Sequence, residues 1–111
     1  MKTFSDYLVM LEKEKASKKE DQVKYIENCI FEVIREKGKI SFYKVKISAG
    51  NIKYKDLIEI IKEMNRHWSE DQSNRYTICC DNADLNGKPY EEDTNEKYDL
   101  HWILTIQQSN V

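Results

Sequence analysis

The sequence predicts a small α+β domain in the order α-α-β-α-β-β, with a three-stranded, mainly antiparallel sheet and helices packed on one face. Three observations lead there. Apolar residues recur at helical spacing in three separate windows. Three short segments concentrate β-branched and aromatic residues. The 111 residues, 40% of them hydrophobic, are enough for one core and not for two, so a single domain over residues 1–111 is expected.

The first helix is expected over residues 3–15. Phe4, Leu8 and Leu11 recur at i, i+4 and i+7 with Tyr7 beside them, and Thr3 with Asp6 has the spacing of a capping box. Lys13 to Glu20 is highly charged and interrupts the apolar pattern, and Ser17 with Glu20 offers a second capping box, so a second helix is expected from there to about Lys37. Its stripe is Ile26, Cys29, Ile30, Val33 and Ile34, and Gly38 stands where a left-handed residue would end it. Lys39 to Ile47 reads as a strand. Ile40 and Phe42 fall on one face and Tyr43, Val45 and Ile47 on the other; a bulge at Phe42–Tyr43 would unite them.

Ser48 to Asn51 reads as a turn. A third helix follows, with Leu57, Ile58, Ile61, Met64 and Trp68 on one face. Arg75 to Cys80 alternates Tyr76, Ile78 and Cys80 against Arg75, Thr77 and Cys79. Leu100 to Gln107 alternates Leu100, Trp102, Leu104 and Ile106 against His101, Ile103, Thr105 and Gln107. With no helix between them, these two strands are expected to form an antiparallel pair. A 19-residue acidic loop, Asp81 to Asp99, joins them, and connections of that length are often functional.

The formal net charge of −2 conceals a separation of signs. Residues 1–67 sum to +4 and residues 68–111 to −6. From Arg35 to Lys55 seven basic residues stand against Glu36 alone; from Asp81 to Asp99 seven acidic residues stand against Lys88 and Lys97. Such asymmetry sets long-range fields and partner preference. The excess of Lys, Ile, Asn and Tyr over Gly, Ala, Arg and Pro matches AT-rich codons and so a low-GC bacterium, phage or plasmid as the source. No apolar run approaches the roughly 18 residues of a membrane span. The apolar stretch Leu8 to Leu11 is too short for a signal peptide, and a cytoplasmic location is expected.

Motifs for catalysis are weak. The three cysteines lack zinc-ligand spacing, and in a reducing compartment they read as thiols, with Cys29 and Cys80 in the core. His101 could approach Cys79 across the hairpin, but a nucleophilic pair also needs an orienting group and an oxyanion loop, and neither is identifiable. With three glycines and no phosphate-loop or dinucleotide motif, no enzyme and no cofactor is expected.

Asn82, Asp84, Asn86, Gly87 and Asp93 fall at positions 1, 3, 5, 6 and 12 of a run that resembles the calcium loop of an EF-hand. The resemblance covers those 12 residues only. Asn82 stands where Asp is usual, Asp93 replaces the bidentate Glu, Pro89 removes a backbone donor, and the flanks read as strands. A turn at Asn86–Gly87, without metal, is the reading retained.

Two charged surfaces remain as candidates. Lys39, Lys44, Lys46, Lys53 and Lys55 with Tyr43 combine cations and an aromatic ring, the chemistry that phosphates and bases require. Asp81, Asp84, Glu91, Glu92, Asp93, Glu96 and Asp99 could enter a basic groove in place of backbone phosphates. The expected function is a small non-enzymatic protein-binding regulator or inhibitor, phage- or mobile-element-encoded and anti-CRISPR-like. It would block a host protein or nucleoprotein complex sterically or electrostatically through the acidic segment. A nucleic-acid-binding regulator using the Lys39–Lys55 surface is the second reading. A self-associating structural protein, a homodimer packed through Ile103 and Thr105, is the third.

Overall fold

The computed structural model describes residues 1–83 and 100–109. It contains α1 (Phe4–Lys37), β1 (Phe42–Ser48), α2 (Tyr54–Trp68), β2 (Tyr76–Cys80) and β3 (His101–Gln108). The strands form one antiparallel sheet in the order β1-β3-β2, with both helices on one face, so the predicted α+β architecture is observed.

The order of elements needs one correction: the two expected N-terminal helices are a single helix of 34 residues. Its start is the predicted capping box. The Thr3 amide donates to Asp6 Oδ2 at 2.9 Å and the Asp6 amide to Thr3 Oγ1 at 3.3 Å. It ends at Gly38 as expected, but the φ of 70° comes with a ψ of −161°, a conformation open to glycine that is not the expected left-handed helical one. The charged segment from Lys13 to Glu20 does not break the helix because it contains no Gly or Pro. Glu14 with Lys18 and Glu20 with Lys24 supply favourable i, i+4 pairs. Loss of apolar periodicity there marks a stretch exposed on every side, not a chain break.

The expected bulge is also absent. β1 pairs with β3 without interruption from Phe42 opposite Gln107 to Ser48 opposite His101. Strict alternation buries Tyr43, Val45 and Ile47 and leaves Phe42, with Ile40 before the strand, exposed. β3 contributes Trp102, Leu104 and Ile106 to the same face, and β2 contributes Ile78. Against them lie Ile26 and Ile30 of α1 and Leu57, Ile60, Ile61 and Met64 of α2. Burying one such side chain contributes about 1.5–3 kcal/mol.

α1 rests on β1 and α2 on β2, so each helix lies over an outer strand. Asn65 of α2 completes its contact with polar bonds. Its Nδ2 donates to the Ile78 carbonyl and its Oδ1 accepts from the Ile78 amide, both at 2.8 Å. Asn82 does the same for β3, its Nδ2 donating to His101 O at 2.7 Å and its Oδ1 accepting from Ile103 N at 2.8 Å. Replacing Asn65 with Ala strands both backbone groups of Ile78. Chemical denaturation should show a loss of about 1–3 kcal/mol, with far-UV circular dichroism unchanged before the transition. A loss below experimental error would show that the two bonds do not hold β2.

Candidate functional site

The first feature that stands out is the length of α1 relative to its support. Residues 1–21 are all exposed, and the first buried position of the helix is Gln22. Phe4 is 76% exposed, Tyr7 55%, Leu8 49% and Leu11 44%. Leu8 precedes Ile26 by 18 residues, five full turns at 3.6 residues per turn, so the two lie on one side of the helix. The stripe that Ile26 buries against the sheet therefore continues along an arm with no sheet beneath it.

The second feature is a cleft between the helices. α1 and α2 lie over the outer strands, and the open space between them touches β3 at Ile106. Two contiguous hollows of about 590 and 440 Å³ share Ile30, Ile34, His67 and Trp68. The larger is closed at one end by Tyr43, Tyr76 and Ile106; the smaller is floored by Ile60 and Met64. Tyr43 and Tyr76 stand with ring centroids 6.2 Å apart. The Tyr43 hydroxyl donates to Gly38 O at 2.6 Å and accepts from Ile40 N at 2.9 Å, and the Tyr76 hydroxyl donates to Ile40 O at 2.8 Å. Phe31, 60% exposed, and Ile34 border the opening. Glu27, Asp71 and Lys39 stand on the rim. Lys19 and Glu63 link the two helices by an ion pair of 2.6 Å. That contact lowers the Glu63 pKa and raises the Lys19 pKa.

The predicted basic surface is dispersed. Tyr43 is buried, with its hydroxyl tied to backbone, so its ring belongs to the core. Lys39 precedes β1, whereas Lys53 caps the start of α2 and Lys55 lies in its first turn, beyond the opposite end of that strand. Lys44 and Lys46 alternate with the buried residues of β1 and so share the open face of the sheet with Phe42.

Of the predicted acidic residues, Asp84, Glu91, Glu92, Asp93, Glu96 and Asp99 lie outside the described residues. Asp81 is described and is engaged with the sheet. Its carboxylate accepts from the Thr105 hydroxyl and from the Cys79 thiol, the latter at 3.2 Å. Thr105 is buried by this contact and Ile103 is half-buried. The Asn82 carbonyl oxygen, the first position of the calcium-loop resemblance, is engaged by the Ile103 amide. The other positions, Asp84, Asn86 and Asp93, lie outside the described residues.

No Cys–His pair forms, which corrects the expected approach of His101 to Cys79. Cys79 is opposite Thr105, four residues along β3 from His101 and so about 13 Å away. Burial pushes all three thiols up. Cys79, with partial burial first and the Asp81 carboxylate second, is pushed up to about 11. A rise from 9.0 to about 11 removes thiolate on the order of 100-fold, partly offset by greater intrinsic nucleophilicity. At pH 8 Cys79 should react with a disulfide reagent about tenfold more slowly than free cysteine. Asp81→Asn should speed it, as followed by peptide mass spectrometry. An equal rate in both forms would remove Asp81 as a cause.

The arm and the cleft, which sequence reasoning did not single out as a site, are the two large apolar surfaces that the fold leaves uncovered among the described residues. Phe4, Tyr7, Leu8 and Leu11 have the spacing of a core-facing stripe, but the helix runs on unbroken and carries them past the sheet. Comparison with known protein families, curated proteins and solved structures returns no match, so a functional reading draws on this chain's own geometry.

Proposed function

We propose that this chain is a small, non-enzymatic protein-binding regulator that acts by occupying a partner's surface. The observation that carries the reading is the exposed apolar stripe Phe4, Tyr7, Leu8 and Leu11 on the arm of α1. Anchors at i, i+3, i+4 and i+7 on one helix are the pattern by which amphipathic helices enter hydrophobic grooves. A rigid helix meets a partner with little ordering cost, because its backbone is already fixed. Capping at Thr3 and continuity with the packed half of α1 hold it in that state.

A host nucleic-acid machine as the target, blocked in an anti-CRISPR-like manner, fits the charge separation between residues 1–67 and 68–111. In that reading the acidic segment 81–99 steers association, and the arm supplies the buried contact. The test is capture of partners from a low-GC bacterial extract by immobilised protein, wild type against Leu8→Asp. Leu8 touches no core, so the variant should fold normally. Capture should fall by about 30-fold or more if Leu8 is an anchor. Identical sets of captured proteins would sink the reading.

Nucleic-acid binding has one observation in its favour: Phe42, Lys44 and Lys46 share the open face of the sheet. Lys44→Glu with Lys46→Glu should then abolish retention of labelled single-stranded DNA and RNA at low salt. Absence of retention by the wild-type protein would dispose of this alternative.

A further inference from the structure

We infer that the partner of the arm is a second copy of this chain, and that two copies exchange arms, each seating Phe4 to Leu11 in the other's cleft between α1 and α2. The inference rests on the protein-binding reading above and names the occupant of that same surface.

The chain carries both halves of the contact and cannot join them within itself. α1 is uninterrupted from Phe4 to Lys37, so the arm cannot fold back onto a cleft lined by Ile30, Phe31 and Ile34 of the same helix. The cleft has the lining of a helix-binding groove: two connected hollows with apolar floors and an open top. An arm on one molecule and a matching groove on another generate either a filament or a closed pair. Closure requires that two contacts form at once about a two-fold axis, and the unbroken length of α1 permits it. When two α1 helices lie antiparallel and centred near Lys19, Phe4 comes level with Ile34, Tyr7 with Phe31 and Leu8 with Ile30, while Leu11 comes level with Glu27 on the rim of the cleft.

Charge follows the same register. Lys2 comes level with Glu36, Glu14 with Lys24 and Lys18 with Glu20, each pair occurring twice by symmetry. Like charges meet at Asp6 with Glu32 and at Lys19 with its copy, where each Lys19 is already paired with Glu63. Area favours the reciprocal form as well. An enclosed Phe or Tyr buries about 150–250 Å². With Leu8 and Leu11 beside them, two contacts remove on the order of 1,200–2,000 Å² counting both sides, the standard size of a stable interface. A single contact gives about half of that, the range of transient encounters.

Sedimentation velocity of the purified full-length chain tests this. The wild-type protein should sediment as two copies at micromolar concentration. Leu8→Asp on the arm and Phe31→Asp on the rim of the cleft should each sediment as one copy, with unchanged circular dichroism, because both side chains are exposed. Each should weaken association by about 30-fold or more. Mixing the two variants should restore partial pairing, since the Phe31→Asp arm and the Leu8→Asp cleft are both intact. Wild-type protein that sediments as one copy overturns the inference; if capture of other proteins still depends on Leu8, the protein-binding reading survives it. A two-copy species indifferent to either substitution overturns it too, as does a mixture that remains single copies, which would show that arm and cleft do not meet.

Discussion

The placement of β3 between the other two strands is the constraint on which the structure depends. Both partners pair with it antiparallel, so β1 and β2, which are separated by α2 in the chain, never touch. Each helix then covers the outer strand next to it in sequence: α1 precedes β1 and rests on it, and α2 precedes β2 and rests on it. Two helices set over the outer strands leave a cleft between them that reaches the central strand at Ile106, while Trp102 and Leu104 of that strand stay buried. Tyr43 and Tyr76, facing each other across Ile106, wall off one end of it, and their hydroxyls secure the Gly38–Ile40 turn.

A mismatch of lengths produces the arm. At about 1.5 Å per residue, the 34 residues of α1 span about 51 Å, whereas the 7 residues of β1 span about 23 Å. Roughly half of α1 must therefore project from the sheet. The projecting half is not a simple polar extension. Its middle is polar on all sides, and its far end regains apolar residues in phase with the buried stripe. Helix propensity and i, i+4 charge pairs explain why the middle stays helical. They do not explain Phe4, Tyr7, Leu8 and Leu11, which in isolation cost solubility and add nothing to the fold. A surface that covers them supplies the missing reason.

Local physics in the sequence accounts for most elements. The stripe of Ile26 and Ile30, the alternation of Trp102, Leu104 and Ile106, the Thr3–Asp6 box and the Gly38 stop each lie where short-range rules place them. The unbroken α1 was hidden because periodicity reports what a helix packs against, and Lys13 to Glu20 packs against nothing. Tyr43 looks like a surface ring only when it is grouped with the lysines beside it; its alternation with Val45 and Ile47 places it on the core face. In the structure Ile40 and Phe42 simply remain exposed, and regular pairing turns Tyr43 inward. The cleft was not legible at all: it follows from strand order, which no local pattern encodes. Ile60 of the core was missed for a related reason, since α2 buries a face wide enough to include both Ile60 and Ile61.

Small sheets with free edges can associate by adding strands, and the two edges here are made unsuitable for it in different ways. β2 is only five residues long, and the outward amide and carbonyl of Ile78, its central residue, are both consumed by the Asn65 side chain. β1 alternates Lys44 and Lys46 along its open face, so a second β1 laid beside it would bring like charges together. On the open face of the sheet, Thr105 is closed off by Asp81 and Ile103 is half-buried, which leaves little apolar area for sheet-on-sheet packing. Edge pairing and face stacking are thus both disfavoured. Helix-on-helix contact faces neither obstacle: α1 satisfies its own backbone hydrogen bonds along its length, and its uncovered residues are apolar side chains. The same features that protect the sheet direct any stable association of this chain towards α1.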